Sequence, residues 1–373
     1  MSIPRINNFV ILAVWLGLFL QVILSIGTEA TAAEETPAAA DTLVEKPSLP
    51  YLTLMLVRDP VVHQELKLDS KQVALVQAAV AKVDHSFWLL RDVPVAQCQE
   101  KLDQNLKTLR EGVAASLTAE QQKRLDEIIL QARGLKSLAA PDVAQKLQLS
   151  ESQLAKIRAV ISSPQDATNS KKRAPTASKN APAKASHDEQ YKKVLDVLSA
   201  KQAAQLTKLV GKPADLSKVR RIGGMAPELR GVTAWMNSNP LTLKSQQGKV
   251  VAVHFWTFGC INCTRNLPHY QGWYEKFPKD ELTIIGLHTP EIEGEKVVDN
   301  VREHVTKRGI RYPIAVDGAS ENWKAWGNSM WPSVYLIDKQ GQIRYWYYGE
   351  LNWEGAKGEE FMRQKIAELL AEE

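Results

Sequence analysis

The segment from Val250 to Cys263, VVAVHFWTFGCINC, constrains this chain more than any other. All of its first seven residues except His254 are apolar, and several are β-branched. That is the pattern of a strand buried on both faces. It runs straight into Cys260-Ile-Asn-Cys263, and a helical pattern follows. This order places two sulfurs at a helix N-terminus, where unpaired N–H groups and the positive end of the helix dipole stabilise a thiolate. A Cys260 thiol of lowered pKa attacks disulfides near neutral pH, and Cys263, one turn later, resolves the mixed disulfide. The pattern predicts thiol–disulfide exchange.

Cys-x-x-Cys is also half of a structural zinc site, or a plain structural disulfide. Structural zinc takes four ligands. The chain has three cysteines, and the third, Cys98, lies far upstream. His269 supplies a ligand type, but no Cys-x-x-His or second pair completes a set, so no metal is expected.

The residues downstream give the context. Leu282–Leu287 reads as a strand, and residues 296–307 as a helix with Val297, Val298, Val301 and Val305 at helical spacing. A short strand over Tyr312–Val316 and a short helix near 322–326 follow, then a strand over Trp331–Asp338. The turn Lys339–Gln340–Gly341 folds that strand onto Ile343–Tyr348 as a hairpin, and an amphipathic helix spans about 357–370. Strands separated by helices and closed by a hairpin and a helix predict an α/β sheet covered on both faces.

From about Ala226 to the end, the chain resembles the TlpA-like branch of the thioredoxin superfamily, especially the C-terminal redoxin of DipZ-type thiol–disulfide proteins. The segments that carry this are VAVHFWTFGCINCTRNLPHY, IIGLHTPE, VREHVTKRGIRYPIAVD and GNSMWPSVYLIDKQGQIRYWYYGE. The resemblance implies a thioredoxin-like α/β fold and a thiol–disulfide oxidoreductase that needs no cofactor beyond its redox-active disulfide. It implies Cys260 as nucleophile, Cys263 as resolving thiol, and a cis Trp331–Pro332 bond facing them to dock the substrate backbone. A proline opening an apolar run suits that independently, since proline is tolerated at a strand's first residue and X–Pro bonds alone adopt cis readily. The resemblance also implies protein disulfide or thiol substrates, and an integral membrane electron donor that would recharge the pair in a reductase.

The chain departs from the family pattern at two places. Thioredoxins carry a buried Asp six residues before the first cysteine, and His254 stands there, either a proton acceptor for the resolving thiol or a satisfied core histidine. Ile261–Asn262 replaces Gly–Pro between the cysteines, which sets the redox poise without revealing it. Glu291, in the His288–Glu291 turn, is a supporting acid–base candidate, and Trp256 and Trp331 are expected to line the cysteine site. Peroxiredoxin-type peroxidases, a neighbouring class, use Pro-x-x-x-Thr-x-x-Cys. Thr257 fits that motif, but Val253 stands in place of its proline.

The N-terminus predicts a location. Phe9–Gly27 is nearly uninterrupted apolar sequence, with Arg5 before it and Glu29, Glu34, Glu35 and Asp41 after it. The positive-inside bias keeps Arg5 cytoplasmic and exports the remainder to a disulfide-permissive compartment. Its 19 residues suffice to span a hydrocarbon core, which favours an uncleaved anchor within residues 1–33. Small residues at Ala30–Ala33 equally suit cleavage as a signal peptide.

Residues 40–220 read as α-helical, with few aromatics. Pro60–Leu68 aligns with Pro141–Leu149, and Leu117–Gln121 with Leu198–Gln202, both at an offset of 81 residues. Leu-[Asp/Ser/Thr]-x-x-Gln occurs four times, ending at Gln72, Gln121, Gln153 and Gln202, each a capping-box signature. Two tandem helical-hairpin repeats are the economical reading, acting as a spacer or docking module. Cys98 has no cysteine counterpart in the second repeat and reads as a free, partly buried thiol, with an intermolecular bridge or a disulfide relay with Cys260 as the alternatives. Residues 163–187 carry five basic residues, one acidic residue and no large apolar one, so a disordered insert is expected. A net charge of +5 with no nucleic-acid motif predicts no nucleic-acid partner. The remaining residues, 221–373, form the redoxin. The competing class is a non-enzymatic assembly protein that binds through the helices.

Overall fold

The computed structural model describes residues 49–161, 189–220 and 222–372, which fall into two compact units. The expected membrane segment and the basic insert lie outside the described residues. No helix among those described is long and apolar enough to cross a membrane.

The first unit contains the described residues up to Val80 together with Leu106–Arg220. Its helices, some of which extend beyond it, include α1 (Leu49–Arg58), α2 (Pro60–Glu65), α3 (Ser70–Leu89), α4 (Val95–Ala114), α5 (Ala119–Arg133), α6 (Pro141–Leu147), α7 (Glu151–Ile161) and α8 (Ala200–Val210). Local chemistry explains where four of them start. Thr118 and Ser199 each close a capping box with the glutamine three residues on. Asp69 with Gln72, and Ser150 with Gln153, exchange the same two bonds. Each cap satisfies helix-end N–H groups that have no partner inside the helix.

The four glutamines then bond in pairs. The amides of Gln72 and Gln121 bond each other at 2.8 and 3.1 Å, and those of Gln153 and Gln202 repeat both distances. Gln72 also donates to Ser116 O, and Gln153 to Val197 O, again 81 residues apart. Lys67 and Gln148, separated by the same offset, are both left-handed, with φ of 53° and 52°. Leu130, Leu138, Leu147, Ile157, Val194 and Leu206 belong to one apolar core.

The second unit contains Ala81–Asn105 and the C-terminal residues from 222 onward. Its strands are β1 (Gly224–Met225), β2 (Ala234–Met236), β3 (Val250–Trp256), β4 (Leu282–His288), β5 (Ile314–Val316), β6 (Ser333–Ile337) and β7 (Gln342–Tyr348). They form one seven-stranded sheet in the order β1-β7-β6-β3-β4-β5-β2. The pairs β3–β4 and β4–β5 are parallel and the others antiparallel. All seven residues of β3 are buried, as expected of a central strand covered on both sides.

The two faces have different covers. On one, Val250, Ala252 and Trp256 pack with helices α9 (Ile261–Lys276), α10 (Val298–Lys307) and α12 (Gly358–Ala371). On the other, Val251, Val253 and Phe255 join Tyr335, Ile343 and Trp346. Here the cover is the short helix α11 (Glu321–Ala325), the chain between Ala226 and Leu241, and Trp88 from the end of α3. Trp88 is 1% exposed, and its rings meet Trp346 and Tyr335 edge-on at 5.3 and 5.8 Å. Asp84 accepts the Met225 N–H at 2.7 Å, which pairs a donor on edge strand β1. The sequence reading assigns residues 40–220 as a whole to the helical region. The structure groups 81–105 with the sheet, because the sheet's second face lacks a long helix of its own.

Candidate active site

Strand β3 delivers the cysteines. After Trp256 the chain turns through Thr257–Gly259, and Cys260 is the N-cap of α9, with extended φ/ψ of −78° and 115°. Its Sγ accepts the Cys263 backbone N–H at 3.1 Å. One first-turn N–H, that of Cys263, therefore points at the sulfur that would carry charge as a thiolate. Cys260 and Cys263 are joined as a disulfide with Cα atoms 5.2 Å apart. Cys260 is partly exposed and Cys263 is 0% exposed, so only the first residue of the pair reaches solvent.

The Trp331–Pro332 bond is cis and Pro332 is buried. Ser333 pairs with Phe255, so Pro332 lies at the end of β6 beside the end of β3 that leads to Cys260. Trp256 shares the core cluster of Cys263, and Phe258, Cys260 and Trp331 pack against that cluster. Trp331 also stacks on Trp323 at 3.9 Å. Ile261, between the cysteines, is 63% exposed, and Ile292 in the facing turn is 62% exposed.

Glu291 is exposed. The carboxylate buried beside the cysteine loop belongs to Glu295, which is 1% exposed. It accepts the N–H of Gly259 at 2.9 Å, and those of Glu291 and Ile292 at 2.7 and 3.2 Å. Burial alone would raise its pKa. The Thr257 hydroxyl and these three N–H groups outweigh burial and hold it below the usual carboxylate range. A Cβ on Gly259 would come within 2.5 Å of this carboxylate, so only glycine permits the approach. Sequence reasoning missed Glu295 because the turn holds several glutamates and only its backbone path decides which one folds inward.

Asn266 was also missed. It is 0% exposed, donates to Gly349 O at 3.0 Å and accepts from Leu351 N at 2.9 Å. Gly349 N in turn donates to Pro332 O at 2.7 Å. These bonds tie the cysteine helix to the cis-proline loop. A polar residue on the buried face of α9, three positions after Cys263, was the available signal.

His254 is 0% exposed, stacks on Tyr270 at 4.1 Å and meets Tyr312 edge-on at 5.4 Å. Neither ring nitrogen has a hydrogen-bond partner, so it is not a satisfied core histidine. Burial lowers its pKa to about 3, and a ring that weakly basic is a poor acceptor for a thiol proton. Burial likewise lowers His288, which approaches the Thr257 hydroxyl at 3.4 Å, to about 4.

Both depressed values make the fold acid-sensitive. The unfolded chain takes up these protons below about pH 6.5, whereas the folded chain resists until about pH 3 to 4. Stability is fully present above pH 6.5 and is expected to fall by several kcal/mol in all as pH drops towards 4. Denaturant midpoints across this range should fall less steeply for His254→Phe. Equal slopes for variant and wild type would remove His254 from this account.

Comparison with known proteins fits the topology. Residues 222–346 match the AhpC/TSA family. DipZ of Mycobacterium bovis is 45% identical over 130 residues, covering 34% of this chain and 19% of DipZ. The chain thus spans less than a quarter of that relative's length. Thiol-disulfide oxidoreductase YkuV of Bacillus subtilis is 27% identical over 146 residues, 39% of this chain and 94% of YkuV. The crystal structure of the thioredoxin-like superfamily protein SPOA0173 is 29% identical, with a TM-score of 0.36 over 40% of this chain and 97% of that one. Residues 222–346 are thus similar to the AhpC/TSA family, and they lie in the unit that carries the seven-stranded mixed sheet, behind an N-terminal helical region.

Proposed function

We propose that this chain is an extracytoplasmic thiol–disulfide oxidoreductase that reduces protein disulfides through Cys260 and Cys263. The observation that carries this reading is the Cys263 N–H donated to the Sγ of a partly exposed Cys260 at a helix start, with Cys263 buried behind it. In the reducing direction the Cys260 thiolate attacks one sulfur of a substrate disulfide. A Cys260–substrate disulfide forms, and the other substrate sulfur leaves as a thiolate and takes up a proton. Cys263 loses its proton to water and attacks the Cys260 sulfur. The Cys260–Cys263 disulfide forms, and the second substrate sulfur leaves. Two electrons pass to the substrate, and an integral membrane donor restores the dithiol.

Pro332 and Trp331 are the proposed docking elements for the substrate backbone, with Trp256 keeping water from Cys263. Glu295 is a positioning residue that fixes the Gly259 peptide ahead of the nucleophile. The apolar stretch Phe9–Gly27 is the proposed export signal or anchor. The helical region is read as two tandem units related by duplication, supported by the recurrence of cap, glutamine pair and left-handed residue at one offset.

The test is equilibration of the full chain with glutathione and dithiothreitol buffers, reading the oxidation state of the Cys260–Cys263 pair. A potential near or below about −230 mV is expected for a reductant, and one near −120 mV would make it an oxidant instead. The absence of any reversible couple would sink the redox reading and leave the assembly class.

A further inference from the structure

We propose that Arg91, at the tip of the helical hairpin, is a positioning residue for the loop that presents the cis-proline to substrate. The inference rests on the exchange reading above. Its starting point is a buried cation outside the family match, which begins at residue 222. The Arg91 side chain is 3% exposed and lies over the Trp88 ring at 3.9 Å. Its Nε donates to the Tyr348 hydroxyl at 3.0 Å, and Nη2 donates to Gly327 O at 2.9 Å and to the Tyr335 hydroxyl at 3.4 Å. Trp88 Nε1 donates to the neighbouring carbonyl, Trp326 O, at 2.9 Å. Two successive carbonyls at the start of the 326–333 loop are therefore held by the hairpin.

The hold extends along that loop. Asn328 Oδ1 accepts from the Tyr335 hydroxyl, and from Ser333 Oγ at 2.9 Å. Ser333 directly follows Pro332. Gly327 has φ of +62°, and a Cβ there would come within 2.9 Å of both Arg91 Nη1 and Leu89 Cδ2. Contact this close makes the guanidinium one wall of the loop. A buried fork donating to two elements in fixed directions suits positioning, because each bond constrains angle as well as distance. Tyr335 belongs to β6, which follows the loop, and Tyr348 to β7, paired with β6, so Arg91 ties the loop to this strand pair.

The test compares R91M and R91K with wild type in the full chain. The first readout is amide hydrogen exchange over residues 327–335. The second is the ratio of kcat/KM for insulin to that for a small aromatic disulfide, with dithiothreitol as electron source. In R91M the loop amides should exchange about tenfold faster, and the ratio should fall about tenfold, the effect of losing one charge-assisted bond. R91K, which keeps one donor direction, should fall between, and it decides the matter by the same criteria if R91M does not fold. Unchanged loop exchange overturns the proposal whatever the kinetics. A loosened loop with an unchanged ratio overturns it too. A wild type that turns over neither disulfide sinks the exchange reading itself, whereas an active wild type with no loop response sinks only the role of Arg91.

Discussion

Cys260→Ser should lower disulfide turnover by more than about a thousandfold, while Cys263→Ser should instead trap substrate. The asymmetry follows from exposure. Cys260 is partly exposed and accepts the Cys263 N–H, and the proposed mechanism therefore makes it the sulfur that a substrate reaches. Cys263 is fully buried, and in the proposed mechanism it meets only a disulfide already formed on Cys260. Without Cys263 that mixed disulfide has no internal route to release, and it should accumulate as a covalent adduct cleared by dithiothreitol. Cys98 is the internal control. It is buried, and its thiol faces the Val93 and Pro94 carbonyls at 3.7 and 3.6 Å. Cys98→Ser should leave turnover and trapping as in wild type. Non-reducing mass spectrometry reads all three variants. Turnover retained in Cys260→Ser, or adducts carried on Cys98, would remove the proposed mechanism.

What the sequence made legible was local in origin. The Val250–Trp256 run and the cysteines behind it announce a buried strand feeding a helix, and β3 and α9 follow that order. The four glutamine boxes could be read because a cap is satisfied within three residues of itself. Strands β1 and β2, of two and three residues, were not legible, since neither is long enough to carry a periodic pattern.

Features that depend on distant partners were hidden for the same reason. His254 stands out in an apolar run, but the absence of any partner for its ring depends on Tyr270, Tyr312 and the bare backbone at Gly286. Glu291 and Glu295 are indistinguishable until the turn closes on the Gly259 N–H. The membership of 81–105 in the sheet unit was the largest omission. In sequence Trp88 is one aromatic at the end of an amphipathic helix, and its hydrogen-bond partner Trp326 lies 238 residues away.

That omission carries the second large expectation. Trp88→Ala should cost the sheet unit about 3–5 kcal/mol, the usual range for removing a fully buried tryptophan. The loss has three parts: the ring itself, the bond to Trp326 O, and the support under the Arg91 guanidinium. Leu75→Ala on the same helix removes a side chain that is 46% exposed and should cost less than about 0.5 kcal/mol. A chain with two compact units need not unfold in one step, so the reading should be local. Amide exchange in β6 and β7 serves, because Tyr335, Ile343 and Trp346 share the cluster Trp88 completes. Acceleration there in Trp88→Ala, with Leu75→Ala unchanged, is the expected result, and equal behaviour of the two variants would return residues 81–105 to the helical region. By the same argument, residues 221–373 alone should be less stable than the full chain. Cutting at 221 uncovers part of an apolar sheet face, and residues 81–105 are then as much a layer of the sheet unit as any helix within it.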